Sequence, residues 1–598
     1  MKKRYIALAA AAIVGAAGVP SAYSKLDEYR VVVPDYQRPA EVLTLDQHWT
    51  DQQRQQFHHT PQGTRLLPAD WFRALEQPCF SPFGCDPFAD PAYLSGFGFI
   101  PSHKDALNPD GLPVGFALDN DFVDPIEKRA YPVVGLTCAA CHTGELYYRN
   151  YAVQVEGAPA MIEVAAFQKA LGLALAFTDT FPMSVGRYGR FERRVLGPNA
   201  TDAQKADLKR QVDAYLAGAR RQLDVTNAGH IYDNGAGFMR TDALARIGNQ
   251  VFAADTNIDA NYAIANAPVR FPQIWDASWF NWVQYNSSIA DPLARNIGEA
   301  LGVRAVVKLF GSDASSFENS VNMRGLHTIE ELLAGPRQFQ GLSSPKWPAM
   351  FPALDPRKVE AGAALYSQRC QQCHLPPRQE LIADLDAIAY DKSHESKYWW
   401  KSASGNWYLK VSDVELDYVG TDPRQATDFK RRTASTGDLG KGVVSAAAGL
   451  DLVTGGIADR FFRLQHMAPA DRVTWSGGRD PADARVRDDL IYKARPLNGI
   501  WAVAPYLHNG SVPTLDALLS SDDSARPAQF WMGSKQFDPV KVGYDGIEIP
   551  GATLFDTTQP GNSNSGHRFK DAPRGNGVIG PAFSADERAA IIEYLKSL

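Results

Sequence analysis

The residues of this chain best equipped for chemistry form two copies of one pentapeptide, Cys138-Ala139-Ala140-Cys141-His142 and Cys370-Gln371-Gln372-Cys373-His374. Two thiols three positions apart, followed at once by an imidazole, suit a particular task. The thiols add across the vinyl groups of a porphyrin, and the histidine reaches its iron. Zinc is the competing use of a Cys-x-x-Cys pair, but a structural zinc wants four ligands gathered together. Here each pair carries its own histidine, and the pairs are far apart. The spacing therefore predicts two covalently bound c-type haems. One is held by Cys138 and Cys141 with His142 on its iron, the other by Cys370 and Cys373 with His374.

Reactivity then turns on the opposite face of each iron. A strong sixth ligand makes an electron carrier, whereas an open face admits a small gas or peroxide. His567, in the Gly-rich run Gly561-Asn-Ser-Asn-Ser-Gly566-His567, is the first choice as sixth ligand of the second haem. His508, in Ala504-Pro-Tyr-Leu-His508-Asn-Gly-Ser511, is the reserve. After its own motif, the first half of the chain offers only His230 and His327, but it is rich in aromatics: Phe271, Trp275, Trp279, Phe280, Trp282 and Tyr285. The expectation is an open, apolar face on the first iron, with Phe271, Trp275 and Trp279 as site residues. Trp275, beside Asp276, is also placed to relay electrons between the haems. The same aromatics would serve equally well as ordinary core.

Positioning two such groups takes a large scaffold. The 598-residue chain opens with Met1-Lys2-Lys3-Arg4, an apolar run from Tyr5 to Val19, and then the small residues Ala22 and Ser24. This is the pattern of a secretory signal peptide over residues 1–24, too short for the roughly 20 residues of a membrane span. Cleavage predicts a soluble periplasmic or secreted protein with no membrane span, in the compartment where bacteria join haem to thiols. It also removes three cations and makes the net charge more negative than −6. No basic stripe marks a nucleic-acid surface. In an oxidising compartment Cys79 and Cys85, the two remaining cysteines, predict a disulfide staple.

The periodicities predict a short helix from Asp51 to Thr60, a buried apolar one from Met161 to Phe177 and a surface one from Asp202 to Leu223. Asp355-Pro356 is an N-cap followed by a first-turn proline, opening a helix that runs into Cys370. Ser584-Ala-Asp-Glu587 is a capping box for the closing helix. These two helices resemble those of a class I cytochrome c module. The predicted fold is mainly α with extensive irregular loops, built from two class I cytochrome c-like haem modules with large insertions. Residues 25–344 would be an N-terminal haem domain with the substrate and oxygen site. Residues 345–598 would be a C-terminal cytochrome c-like haem domain, interrupted between Glu380 and Arg485.

The motifs together resemble the bacterial di-haem cytochrome c peroxidase superfamily. They look closest to its larger branch, the rubber oxygenases and the periplasmic fatty-acid di-haem dioxygenases of oleate lipoxygenase type. The landmarks are Phe57-His58-His59-Thr60-Pro-Gln-Gly63-Thr64, Leu136-Thr-Cys138 to Gly144, Arg240-Thr-Asp-Ala243-Leu, Trp275-Asp276, Ala294-Arg-Asn296 and Gly561 to His567. The resemblance implies that dioxygen or peroxide binds at the haem on His142, while the haem on His374 and His567 is a bis-histidine electronic partner.

The leading expectation is an oxygenase that inserts dioxygen into an unsaturated fatty acid such as oleic acid, or another apolar alkene, giving a hydroperoxide. Met161 to Phe177 and the aromatics of 271–285 would line a tunnel, with Arg187, Arg190, Arg193 or Arg194 near its mouth for a carboxylate. The alternatives are a hydrogen-peroxide reductase fed by a small electron-donor protein, with Gln284 or a glutamate beside the iron, a polyisoprene-cleaving dioxygenase, and a plain electron carrier.

Overall fold

The computed structural model describes residues 31–598 apart from 80, 82, 182, 234, 312–315, 392 and 480–484. The signal peptide expected over residues 1–24 lies outside the described residues. The fold is mainly helical, 39% helix against 15% strand, with long irregular connections. No helix of the described residues is long and apolar enough to cross a membrane.

Strand β1 (Glu41–Thr44) leads into helix α1 (Asp51–His59), whose start is fixed by a Thr50/Gln53 capping box. The first motif is entered by a strand rather than a helix. β2 (Val133–Leu136), rich in β-branched residues and buried along its length, runs into the single-turn helix α2 (Ala139–His142). The chain leaves through β3 (Thr143–Tyr148) and returns as β4 (Tyr151–Glu156), which pairs antiparallel with β3 and parallel with β1. The first motif therefore sits in a β-framed setting that departs from the expected cytochrome c pattern.

The apolar helix expected over 161–177 is α3 (Val164–Asp179). Its Phe167 packs among Phe88, Phe97, Phe99 and Phe116, with ring centres 5.1–6.1 Å away. That face is spent on core packing rather than on a tunnel wall. The surface helix α4 (Asp202–Ala228) follows. The arginines expected at a tunnel mouth are otherwise engaged: Arg190 pairs with Glu76 at 2.8 Å and Arg194 with the same carboxylate at 3.2 Å. Arg187 donates to the Glu76 and Gln77 carbonyls at 2.6 Å. Together they pin the loop closed by the Cys79–Cys85 disulfide.

Helix α5 (Pro292–Gly302) buries Leu293, Ile297 and Leu301, and α6 (Met323–Ala334) follows it. The second motif has the predicted helical entry. Asp355 caps α7 (Pro356–Arg369), accepting from the Arg357 amide at 3.0 Å, and α7 runs into the single turn α8 (Gln371–His374). The insertion before Arg485 contains α9 (Ala446–Leu464), whose Leu450, Val453 and Ile457 pack on the buried face of α5. β5 (Ile491–Ala494) follows, and the chain closes with α10 (Ala585–Ser597), capped by Ser584 and Glu587 as expected.

Helices α7 and α10 cross backbone to backbone. A Cβ at Gly362 would lie 2.1 Å from the Ala590 carbonyl oxygen, so only glycine allows this approach. Tyr366 and Tyr594 close the crossing with ring centres 5.3 Å apart. The largest apolar cluster joins Trp49, Phe57 and Trp275 to Phe351, Trp501, Phe537 and Ile591, so buried packing runs straight across residue 344.

Gly362→Ala gives a measurable sign test of the crossing. Alanine gains about 1 kcal/mol of helix propensity, but forcing a methyl against a backbone oxygen costs about 1–3 kcal/mol and spreads the pair. The expected outcome is a net loss of stability in urea unfolding followed by tryptophan fluorescence; a gain would show that the helices part freely.

Candidate di-haem site

Within each motif the backbone makes the same turn. The His142 amide donates to the Cys138 carbonyl at 3.0 Å, and the His374 amide to the Cys370 carbonyl at 2.9 Å. The imidazoles are also oriented alike. His142 Nδ1 lies 2.8 Å from the Pro272 carbonyl oxygen and His374 Nδ1 lies 2.9 Å from that of Arg495. A carbonyl only accepts, so each Nδ1 carries the proton and each Nε2 keeps a lone pair for a metal. Burial lowers the basicity of both rings, His142 to about 4, which keeps them neutral. Burial also pushes the Cys138, Cys141 and Cys370 thiols up to about 12. Paired thiols beside a neutral imidazole held through Nδ1 are the donor set that a covalently attached haem requires.

The loops that supply those carbonyls are stitched to each other. Trp275, three residues after Pro272, donates its indole N–H to the Asn498 carbonyl at 2.9 Å, and Asn498 lies three residues after Arg495. Arg495 donates back to the Trp275 carbonyl at 2.9 Å and to the Gln273 carbonyl. Trp275 is 1% exposed. It thus lies between the supports of the two motif histidines.

Phe271 stands edge-on to His142, with ring centres 6.4 Å apart. It lies next in the chain to Pro272, whose carbonyl holds the His142 ring, so it packs against the motif histidine itself. Trp279 is not brought to the motifs. Its indole donates to the Ala334 carbonyl at 2.8 Å, at the end of α6, and its ring lies 6.2 Å from that of Tyr408.

His567 and His374 face each other with ring centres 6.1 Å apart. Two imidazoles sharing one metal through bonds of about 2 Å place their ring centres roughly 6 Å apart. The His567 loop is held from both sides. Its amide donates to the Val419 carbonyl at 2.8 Å, and buried Arg526 donates to the carbonyls of Leu518, Asn564, Gly566 and His567 at 2.8–3.1 Å. Gly566, at φ +70°, passes so close to Gly420 that no Cβ would fit. His508, the reserve ligand, is engaged elsewhere: its ring packs on Tyr492 with centres 4.2 Å apart.

The first motif meets a polar wall that includes the Arg295-Asn296 landmark and Gln284, together with Glu299 and Glu330, which the sequence reading did not name. Gln62 donates to Cys138 Sγ at 3.2 Å. On α5, Arg295 pairs with Glu330, and Asn296 donates to the same carboxylate at 2.9 Å. Glu299, one turn along α5, receives Gln284 Nε2 at 3.3 Å. The field of Glu299 reaches both thiols, and that of Arg295 reaches His142. Burial raises the Glu299 carboxyl above its usual range, whereas Arg295 and Asn296 outweigh burial at Glu330 and hold it low. A buried Arg-x-x-x-Glu pair on one helix face was the available signal.

A RoxA-like, cytochrome c-like family model matches residues 491–532, the segment that contains both Arg495 and Arg526. The y4iJ protein of Sinorhizobium fredii is 43% identical over 593 residues, covering 95% of this chain and 95% of that protein. The y4iM protein of the same organism is 40% identical over 134 residues, 20% of this chain and 30% of its own length. Neither relative's name states an activity.

Trp275→Phe leaves the Asn498 carbonyl buried without its donor. The expected cost is about 1–3 kcal/mol in denaturant unfolding of the holoprotein; no loss would mean that the two loops hold together without the indole.

Proposed function

This chain belongs to one family with the rhizobial y4iJ protein and carries a RoxA-like, cytochrome c-like segment, and from that premise we propose that it is an exported di-haem oxygenase acting on an apolar alkene. The observation that carries this reading is the asymmetry of the two motif histidines. His374 faces His567 across a gap suited to one metal, whereas no second histidine ring is paired with His142 among the described residues. The RoxA-like segment supports the rubber-oxygenase-type branch. A long-chain unsaturated fatty acid of oleic type, and a hydroperoxide as product, remain our finer proposal from the sequence.

A haem on each motif would supply an iron that exchanges electrons and, where one face stays open, takes up dioxygen or peroxide. Cys138, Cys141 and His142 would hold the reacting group, and Cys370, Cys373, His374 and His567 its electronic partner. The Pro272 and Arg495 carbonyls keep the two Nδ1 protons in place, so that each Nε2 would be free to hold a metal. Trp275 gives electrons a short route through the stitched loops. A periplasmic location follows from the export signal read in the sequence.

A second reading, hydrogen-peroxide reduction with a small protein electron donor, is favoured by one observation. Glu299 is a buried acid beside the first motif, hydrogen-bonded by Gln284. A carboxyl that burial makes hold its proton more tightly is suited to donating it to a departing oxygen.

Oxygen uptake with oleate or polyisoprene latex, with a two-oxygen mass gain in the product, is the expected result. Turnover of peroxide by a reduced small cytochrome, with no oxygen uptake, would replace it with the second reading. Glu299→Gln sharpens the choice: a peroxidase loses about 10²–10⁴-fold of its rate, whereas the oxygenase reading expects a far smaller change. His567→Ala should open the second haem, adding a second carbon monoxide-binding component to the reduced spectrum. An unchanged spectrum would remove His567 from the ligand set.

A further inference from the structure

Beside the two motif histidines lies a concentration of positive charge that outnumbers its counter-ions. Arg270 is 5% exposed, and among the described residues its guanidinium makes one long hydrogen bond of 3.4 Å, to the Gln273 side chain; its Nε and Nη1 have no partner. The Lys493 ammonium has neither a hydrogen bond nor an ion pair among the described residues, and it lies 5.6 Å from the centre of the Phe280 ring. The Arg495 guanidinium lies 5.0 Å from the same ring, and its Nε is unpartnered. Both polar atoms of the Asn286 amide are buried and make no hydrogen bond, the Tyr285 hydroxyl lies against Arg270, and the Asn498 side chain lies against Asp276.

These groups belong to one place. Arg270 and Arg495 sit on the two stitched loops, Lys493 is two residues before Arg495, and the Lys493 amide donates to the Tyr285 carbonyl at 2.7 Å. The nearby carboxylates are too few for these cations: Asp413 is bonded by Ser287 at 2.7 Å and Arg487 at 2.6 Å, Glu330 by Arg295, and buried Asp276 is shared between Arg495 and Arg378. Burial and the neighbouring guanidiniums together push the Lys493 ammonium well below its usual range, and burial brings Arg495 down to about 10. Gathering unpaired charges away from water costs several kcal/mol per ion unless an anion joins them. The orphaned Asn286 amide at the same spot adds a donor to that demand.

We propose that Arg270, Lys493 and Arg495, with Tyr285 and Asn286, form a buried receptor for carboxylate groups between the two Cys-x-x-Cys-His motifs. Guanidiniums take a carboxylate through paired N–H donors and an ammonium adds a point charge. The carboxylate has two possible sources: the propionates of the bound porphyrins, or the acid end of a free fatty acid. The inference rests on the di-haem reading only for the first source.

The experiment uses the full holoprotein and the variants Lys493→Met and Arg270→Met. Haem content per chain is measured first. Redox titration, thermal unfolding and the Soret band with and without added oleate then follow. If porphyrin carboxylates fill the receptor, Lys493→Met lowers the midpoint potential of at least one haem, and lowers thermal stability, with no added acid, and oleate changes neither protein. If a free acid fills it, oleate shifts the wild-type Soret band saturably, and each variant weakens that response roughly tenfold or more. Two haems per chain with unmoved potentials, no oleate response, and variants as stable as wild type or more so would overturn the receptor and leave the di-haem reading intact. Fewer than two haems would sink the di-haem reading, and the receptor would then stand or fall on the oleate response alone.

Discussion

Both motif histidines of this protein are oriented by backbone carbonyls, and the loops that supply those carbonyls are hydrogen-bonded to each other. A hydrogen bond at Nδ1 fixes both the tautomer and the rotation of an imidazole, and hence the direction of its remaining lone pair. The Pro272 and Arg495 carbonyls can do this only while their loops keep register. Trp275 and Arg495 enforce that register through three contacts to backbone oxygens, in a setting where any unmade bond leaves a dry acceptor. Two segments remote in sequence are thereby built as one rigid unit, and the apolar cluster that crosses residue 344 embeds that unit on both sides.

The same pentapeptide occupies two unlike scaffolds, and the differences in potential chemistry arise from the scaffolds. The second motif ends a helix locked against the closing helix at Gly362, and the Arg526-clamped loop brings His567 opposite His374. That loop is held by four carbonyl contacts to one guanidinium, so it has little freedom to swing away. The first motif lies between strands, faces α5, and among the described residues receives no comparable histidine-bearing loop. An imidazole opposite one motif histidine and, among the described residues, none opposite the other is a difference of supporting architecture, because the motifs themselves are alike.

Much of this was legible from residue types. Cys-x-x-Cys-His names its own chemistry, the caps at Asp355 and Ser584 mark where helices begin, and a Gly-rich loop before the last helix pointed to His567. The supports of the histidines were not legible, since a carbonyl oxygen has no residue signature. The aromatic run from Phe271 to Tyr285 misled for a related reason. Apolar rings are equally at home against a proximal histidine, beside a neighbouring indole or in ordinary core. Their spacing cannot say which, and only Trp275 carries a polar atom whose partner decides its place. Arg187, Arg190 and Arg194 turn to Glu76 and its neighbour, more than a hundred residues away in sequence, which their own spacing does not show.

The polar wall on α5 follows from how few cations it contains. Arg295 and Glu299 are one turn apart, and Glu330 approaches from α6, so one guanidinium serves two buried acids. It goes to Glu330, which also collects the Asn296 amide and stays ionised. Glu299 is left with the Gln284 amide, a neutral donor that offsets less of the burial cost, and its carboxyl therefore holds its proton more tightly. An acid in that condition beside the first motif can donate a hydrogen bond where an ionised one could only accept. The proton-donating capacity of the first site thus depends on a competition for one arginine, which Glu330 wins and Glu299 loses.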